Sequence, residues 1–335
     1  MKKRILQAAA SLFMAAVMTG GCGSGQIQEE YRLEESNKLV VYTSHKEEIY
    51  GPIVREFEER TGIWVEVVTG GTNDLLDRIA GENGKNSGDV MFGGGVDNLN
   101  AYAAYFEPYV SSQWEQLDSA YASEDGAYTV FSKLPIVIAY NKKLVISAGT
   151  PRSWRDLTNN HWQGNIAFAD PYRSGSSYTA LMTMLQILSQ DMAEEETLEA
   201  FVSNLDGDIL AGSGEVLQEV TAGKKLIGIT LEETVLKEMD QNADIGMIYP
   251  KEGTAAVPDG SALIKNAPHR ENAELFIEFT VSEDVQRLLE DRLYRRSVRR
   301  GAQSTPVREV LYDLEYSETH REEILIQWKE LTGQP

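Results

Sequence analysis

Strand-like and helix-like segments alternate along most of this chain, and this alternation restricts the possible folds more than any other sequence feature. A strand-like run from Lys38 to Ser44 is followed by a helical pattern from Glu47 to Thr61. The same order returns later, where a strand-like run from Asn165 to Ala169 precedes a helical pattern from Thr179 to Leu188. Repeated strand and helix units build parallel sheets covered by helices. The sequence therefore predicts an α/β fold with mixed, mainly parallel sheets.

Two segments of the chain have the pattern of crossings between two lobes. A long apolar strand candidate runs from Leu134 to Tyr140, and a return connection is expected between Lys251 and Gly260. We therefore predict that residues 38–135 and 260–300 form lobe 1, that residues 136–259 form lobe 2, and that residues 301–335 form a C-terminal helical segment. Open parallel sheets bind ligands at the carboxyl ends of their strands, so the cleft between the lobes is the expected binding site.

The N-terminus has the organisation of an export signal. Basic residues at positions 2–4 precede a short apolar run, and Cys22, the only cysteine, follows two glycines. This end resembles a bacterial lipobox, in which the thiol is acylated, although Thr19 departs from the pattern. We predict a signal peptide at 1–21, lipidation of Cys22 and a polar tether at 22–37. The protein would then be anchored to the outer face of the cytoplasmic membrane; a periplasmic protein with an unmodified thiol is the alternative.

The charge of the chain excludes several classes of partner. It has 31 Lys and Arg against 52 Asp and Glu, a formal net charge of −21. Nucleic acids and anionic membrane surfaces attract basic proteins, so neither is expected to bind here. Any anion that the protein holds must be held by local geometry and not by a broad positive field.

One loop has the composition of an anion-binding helix start. Ser174, Gly175, Ser176, Ser177 and Thr179 lie between the strand-like run and the helical pattern described above. The first amide N–H groups of a helix lack intrahelical acceptors, and the helix dipole adds partial positive charge there. These residues are therefore candidate anion ligands. Because serine is a favoured N-cap in any helix, an ordinary capped helix is the alternative.

Three further loops are expected to face the same cleft. They follow strand candidates and are the segments 43–46, 93–97 and 230–233. Small and hydroxyl-bearing residues are dense in the first two, which suits a polar solute that approaches the backbone closely. The candidate ligand-binding residues in these loops are Thr43, Ser44, His45, Gly93, Gly94, Gly95 and Glu232.

Several phrases of the chain, in their order, carry a family resemblance. They are LVVYTSHKEEIYGPIVREFEERTGI, GDVMFGGG, FEPY, DPYRSGSSYTAL, GITLEET, IYPKEGTA and NAPHRENAELFIEF, between Lys38 and about Val310. With them the chain resembles the extracellular solute-binding proteins of bacterial ABC importers, in the branch that binds ferric iron, aminoethylphosphonate, phosphoglycerate and hexose phosphates. The resemblance implies a two-lobed Venus-flytrap fold of type II, no turnover chemistry, no cofactor, and a permease and ATPase as partners.

The same resemblance separates two ligand classes. Iron binders of this branch usually offer two adjacent tyrosines, a histidine near the first strand and a glutamate in the first lobe. His45 occupies the histidine's place, but the segment Gly228 to Thr234 has no aromatic residue and Gly93 to Gly95 has no glutamate. The expected ligand is therefore a phosphate ester or phosphonate. Its anion would bind the serine-rich helix start and its organic part Glu232, with His45 bonded to either; ferric iron is the alternative.

Other interpretations of the same residues stay open. His45 could cap the helix that follows it, Glu232 could be a solvated helix-start carboxylate, and Gly93 to Gly95 could be a tight turn. The arginines between Arg292 and Arg300 favour a salt-bridged seam between the lobes over a role in the cleft. A hydrolase is disfavoured, because the chain has no G-x-S-x-G and no H-E-x-x-H motif. A sensory protein that signals to a membrane histidine kinase would have the same cleft.

Overall fold

A computed structural model describes residues 35–82, 85, 88–118, 123, 125–145, 149–242, 244–302, 307–310 and 312–333. The predicted signal peptide, Cys22 and most of the predicted tether lie outside the described residues. Within these ranges, no helix combines the length and the apolar character that a membrane span requires.

The described chain contains the following named strands and helices. The strands are β1 (Lys38–Thr43), β2 (Trp64–Thr69), β3 (Val90–Gly95), β4 (Phe106–Glu107), β5 (Thr129–Asn141), β6 (Ile166–Ala167), β7 (Ile227–Leu231), β8 (Ile245–Ile248) and β9 (Ala256–Ile264). The helices are α1 (Glu47–Thr61), α2 (Thr72–Glu82), α3 (Val96–Ala101), α4 (Gly175–Leu188), α5 (Glu194–Leu205), α6 (Ser213–Thr221), α7 (Glu232–Gln241), α8 (Arg270–Thr280), α9 (Glu283–Arg292), α10 (Leu314–Thr319) and α11 (Arg321–Thr332).

Lobe 1 is built on the strands β2, β1, β3, β9 and the first half of β5, in that order. The strand β1 pairs in parallel with β2 and β3, whereas β9 pairs antiparallel with β3, β4 and β5. On one face, Ile53 and Phe57 of α1 pack with Phe92 and Phe276 in one apolar cluster. The helix α1 has the bounds that its pattern predicts and ends at Gly62, which has a positive φ of 72°.

Lobe 2 is built on the second half of β5 with β7, β6 and β8. The pair β6 and β7 is parallel, and β5 pairs antiparallel with β7 and β8. Its core contains Trp154, Phe168, Tyr178 and Phe201. Trp328 of α11 is part of the same cluster, so the C-terminal segment packs on lobe 2.

Two long strands connect the lobes. Up to Pro135, β5 pairs with β9, and from Ile136 onward it pairs with β7 and β8. The chain returns to lobe 1 through β9. We propose that the boundary between the lobes lies at this change of partners in β5.

The sheets are mixed, as expected, but parallel pairing is less frequent than the sequence pattern predicts. The strands β5 and β9, which join the lobes, are antiparallel to each other, so each adds antiparallel pairs to its sheet. The segment Arg155–Thr158 forms a 3₁₀ turn. The pattern does not predict α6, because glycines at 212, 214 and 223 surround its few apolar residues.

Candidate functional site

The start of α4 leaves two backbone donors unused. Ser174 is the N-cap, and its Oγ accepts a hydrogen bond from the Ser177 N–H at 3.3 Å. The Tyr178 N–H donates to the Ser174 carbonyl at 2.9 Å. Among the described residues, no acceptor pairs with the amide N–H of Gly175 or of Ser176. The two free donors point to an anion, which helix starts favour electrostatically.

A cavity of about 690 Å³ lies between this helix start and lobe 1. The first turn of α2 faces it from the other side, so two helix N-termini line one space. The lining residues are Gly71, Thr72, Asn73, Asp74, Gly95, Asp97, Asn98, Tyr172, Arg173, Gly175, Ser176, Thr179, Val257 and Arg321. We call this space the α4 cavity. It contains two arginines and two aspartates, in a chain that is strongly acidic overall.

Asp97 is the carboxylate in the α4 cavity with the most perturbed acidity. Burial raises its pKa from the ordinary value to about 6; Glu318 adds to the increase and Arg321 opposes it. The phenol groups of Tyr128 and Tyr312 also lie in the field of this carboxylate. Desolvation therefore keeps part of the Asp97 population protonated in mildly acidic solution.

We expect the free energy of unfolding to fall as the pH rises from about 4 to about 6 because of Asp97. Its pKa is higher in the folded than in the unfolded chain, so in this range the folded state binds more protons. The variant Asp97→Asn removes this component. Urea unfolding at pH 4 to 8 should show the variant gaining stability relative to wild type as the pH rises, with the gain levelling off above about pH 7. A stability difference between variant and wild type that is the same at every pH would contradict the raised pKa of Asp97. Asp291→Asn, at an exposed carboxylate, is the control.

A second cavity, of about 520 Å³, shares no lining residue with the first. Ser44 and His45 line it from lobe 1, and Glu233, Lys237 and Arg295 are among its other lining residues. We call it the His45 cavity. Burial lowers the pKa of His45 well below its ordinary value, Arg295 adds to this effect and Glu233 opposes it. The imidazole is therefore neutral, although its Nε2 lies 3.3 Å from Asp259 Oδ2.

The first two glycines of the glycine triplet accommodate side chains of the protein itself. Gly93 and Gly94 have positive φ values of 103° and 102° and belong to β3. A Cβ at Gly93 would lie 2.6 Å from the His45 Nε2, and a Cβ at Gly94 would lie 2.9 Å from the Thr72 Cγ2. Both positions therefore require glycine for backbone and packing reasons. Gly95 lines the α4 cavity.

Glu232 is part of an ion pair and not of a cavity wall. Its two carboxylate oxygens accept hydrogen bonds from the Arg296 guanidinium, each at 2.7 Å, and Oε1 also accepts one from the Tyr249 hydroxyl. Glu232 is only 3% exposed and lines neither cavity. The expected role of Glu232 toward the organic part of the ligand is therefore not supported, because both oxygens already have partners.

The neighbouring arginine completes a seam of buried charges. Arg295 makes ion pairs with Glu233 at 2.9 Å and with Asp259 at 2.5 Å. Because Asp259 lies on β9 and Glu233 on α7, this arginine joins the two lobes. Arg295 and Arg296 therefore make buried ion pairs of the kind that a salt-bridged seam requires. Further side-chain contacts join lobe 1 to the rest of the described chain. They include Glu48 with Lys237 at 3.0 Å, Asn100 with Glu318 at 2.9 Å, Lys133 with Glu309 at 2.9 Å, and Tyr294 with Asp240.

The structure brings together only some of the sequence-predicted ligand residues. Gly95, Gly175, Ser176 and Thr179 line the α4 cavity, whereas Ser44 and His45 line the His45 cavity. The remaining ones line neither cavity: Thr43, Gly93, Gly94, Ser174, Ser177 and Glu232. Thr43 and Ser177 are buried, and the Thr43 Oγ1 accepts a hydrogen bond from the His45 N–H.

Several cavity residues are not predicted from the sequence. Asp97 and Arg173 lie within the predicted loops without being singled out, and their charge in a hydroxyl-rich loop is a usable signal. Asn73, Asn98 and Arg321 carry no such signal, because each lies on a helix whose packing decides where it faces. Across the described ranges, no group of three or more His, Cys, Asp or Glu side chains could hold a metal ion.

Comparisons with known proteins point to one family. The family model for bacterial extracellular solute-binding proteins matches residues 99–307, more than half of the chain. Iron uptake protein A1 of Synechocystis is 28% identical over 288 residues, which are 80% of this chain and 77% of the relative. A probable ABC transporter periplasmic-binding protein of Sinorhizobium fredii, y4fP, is 24% identical over 258 residues, 75% of this chain and 71% of the relative.

The fold also matches a solved structure. The periplasmic binding protein AfuA from Actinobacillus pleuropneumoniae, with fructose 6-phosphate bound, superposes with a TM-score of 0.77. The match covers 89% of this chain and 99% of the other at 22% identity. The predicted two-lobed α/β fold of periplasmic binding proteins is therefore confirmed.

Proposed function

The chain belongs to the family of bacterial extracellular solute-binding proteins, and from this premise we propose that it captures a phosphate ester or a phosphonate in the α4 cavity. Family membership makes it an exported, periplasmic-type solute-binding protein of an ABC importer. Its relatives are named for uptake and binding and not for catalysis. Family membership does not identify the ligand, so the ligand class is argued from the geometry of the cleft.

The observation that carries the proposal is the convergence of donors on one space. The free amide N–H groups of Gly175 and Ser176 lie at the start of α4, and the start of α2 faces them across the α4 cavity. Arg173 and Arg321 add two guanidinium groups. Phosphate and phosphonate oxygens accept hydrogen bonds from both kinds of donor, and such charge-assisted bonds are among the strongest in proteins.

The opposite wall suits the organic part of such a ligand. Asp74 and Asp97 line the α4 cavity from lobe 1, and carboxylates accept hydrogen bonds from hydroxyl or amine groups. We assign to them the role that the sequence assigns to Glu232. A Cβ at Gly95 or at Gly175 would lie 3.9 Å from the Asn98 side-chain nitrogen, so the two lobes approach each other closely here.

The partners and the location follow from the family and from the N-terminal sequence. A permease and its ATPase would accept the ligand from the closed protein. Lipidation of Cys22 would hold the protein at the outer face of the cytoplasmic membrane, near that permease. Signalling to a membrane histidine kinase would use the same ligand-bound form.

Ferric iron is the second candidate, and the relatives support it equally, since one of them is named for iron uptake. The specific observation in its favour is the His45 cavity. Among the described residues the buried His45 Nε2 makes no hydrogen bond, although Asp259 Oδ2 lies 3.3 Å away. Glu48 and Glu233 line the same space. Glu233 is already paired with Arg295 and Lys237, which reduces its value as a metal ligand. The described residues also contain no group of three His, Cys, Asp or Glu side chains placed to hold a metal ion, so iron is the second candidate.

We expect phosphorylated or phosphonylated solutes to raise the melting temperature of the mature domain. Binding to the native state stabilises it by RT ln(1 + [L]/Kd), about 2.7 kcal/mol at 100 times Kd. The test is a thermal-shift screen with fructose 6-phosphate, glycerol 3-phosphate, 2-aminoethylphosphonate, inorganic phosphate and ferric citrate. Stabilisation by ferric citrate alone, with a visible charge-transfer colour, would show that the iron assignment is correct and the phosphate assignment is not.

A further inference from the structure

The C-terminal helices carry a cation into the α4 cavity. Arg321 is the first residue of α11, and it lines the cavity together with Ser176 and Thr179 of α4. It lies outside residues 99–307, which carry the family match. The helix itself is fixed by its apolar face, because Ile324, Leu325 and Trp328 are buried in the core of lobe 2. The position of Arg321 is therefore set by the fold.

The guanidinium of Arg321 is held by an aromatic ring and not by a carboxylate. Its Cζ lies 4.2 Å from the centre of the Tyr178 ring, and cation–π contact at this distance is attractive. Tyr178 is fully buried, and its hydroxyl donates a hydrogen bond to the Ser317 carbonyl at 2.7 Å. Within the part of the chain that the structure describes, Arg321 makes no ion pair. The guanidinium also contacts the Tyr178 hydroxyl, and its other N–H donors are available to an anion in the cavity.

The same segment lies at the edge where lobe 1 meets the rest of the molecule. Glu318 of α10 accepts a hydrogen bond from the Asn100 side-chain amide of α3 at 2.9 Å. The helix α10 therefore contacts lobe 1 while α11 packs on lobe 2. A ligand that enters the cavity is enclosed by three parts of the chain, of which the C-terminal segment is one.

The charges around the cavity indicate what Arg321 does. Two arginines face two aspartates there, so the helix starts supply the excess positive potential that an anion needs. Without Arg321, one arginine would remain against Asp74 and Asp97. A ligand with two negative charges would lose more from this change than a ligand with one, because the Coulomb energy scales with ligand charge.

We propose that Arg321 is a ligand-binding residue that determines specificity for dianionic headgroups, and that the C-terminal helix pair is the element that supplies it. The inference rests on the proposed function, and it names the headgroup charge that the same cavity selects. Arginine suits this role because its planar fork binds two phosphate oxygens at once, which lysine does not do.

The test uses isothermal titration calorimetry at pH 8 on the full mature chain. The probes are fructose 6-phosphate and 2-aminoethylphosphonate, with gluconate as a singly charged comparison. The variants are Arg321→Gln, Arg321→Lys and, as the control, Arg152→Gln at an exposed arginine on lobe 2. We expect Arg321→Gln to weaken phosphate binding by about tenfold to a hundredfold, because a charge-assisted bidentate contact is lost. Arg321→Lys should lose less, and Arg152→Gln should stay within about twofold of wild type, as a surface charge outside the cavity.

The outcomes separate the two levels of the proposal. If wild type binds neither phosphorus-containing probe, the proposed function fails and Arg321 loses its assigned role with it. If wild type binds and Arg321→Gln retains the affinity, or loses affinity for gluconate and for fructose 6-phosphate by the same factor, only the assignment of Arg321 fails. The melting temperature of each ligand-free variant shows whether a loss of affinity comes from misfolding. If Arg321→Gln is misfolded, the affinity of Arg321→Lys decides whether Arg321 binds the headgroup.

Discussion

Replacing Ser176 by phenylalanine is expected to abolish binding of a phosphorylated solute while the fold persists. Ser176 lines the α4 cavity, and its N–H is one of the two free donors at the start of α4. A phenyl ring there would occupy the space of the headgroup and block at least two charge-assisted hydrogen bonds. Each such bond contributes about 1.5–3 kcal/mol, so the affinity should fall by more than about 100-fold. The measurement is calorimetric titration with fructose 6-phosphate.

Two matched variants test whether this loss is local. Ser203→Phe places the same side chain on the exposed face of α5, and it should bind like wild type. Ser177→Phe should instead lower stability by about 1–3 kcal/mol, because overpacking a buried site is costly and Ser177 is 3% exposed. If Ser176→Phe bound the ligand with unchanged affinity, the anion would have to bind elsewhere than at the start of α4.

Replacing Glu232 by alanine is expected to destabilise the protein strongly without a specific effect on the ligand. The change leaves the guanidinium of Arg296, which is 5% exposed, without its carboxylate partner. Removing one partner of a buried ion pair costs about 3–5 kcal/mol, since the remaining charge stays desolvated. Over a chain of this size the melting temperature should fall by roughly 10 °C. Chemical unfolding of wild type and variant measures the difference directly.

The double variant Glu232→Leu with Arg296→Met is the control for this mechanism. Both charges are then absent, and buried ion pairs replaced by apolar side chains are often neutral in stability. The double variant should therefore be clearly more stable than Glu232→Ala. Equal stability of the two would mean that packing, and not the unpaired charge, causes the loss. If Glu232→Ala kept the stability of wild type but lost ligand binding, Glu232 would be a ligand-binding residue after all.

The sequence by itself determines the α/β class and the local structure of the α4 start. The alternation of strand and helix patterns gives both ends of α1 and the end of α4, because the apolar spacing of a helix is a local property. The apolar pattern starts at Thr179, whereas α4 begins four residues earlier, at Gly175. The run from Ser174 to Ser177 also predicts the capped helix start, since an N-cap bond joins residues only three positions apart. For the same reason Gly175 and Ser176 are recognised as candidate anion ligands from the sequence.

Only the tertiary structure decides which of the candidates face the ligand. Glu232 meets Arg296 across 64 positions, and Tyr178 meets Ser317 across 139, so no local pattern reveals either contact. These contacts remove Glu232 from the cleft and bring Arg321 into it. The physical reason is that a buried charge such as Glu232 needs a partner, and the fold decides which residue is near enough to be that partner. Arg321, which no sequence pattern singles out, therefore lines the cavity, whereas Glu232, which the sequence favours as a ligand, makes an ion pair beside it.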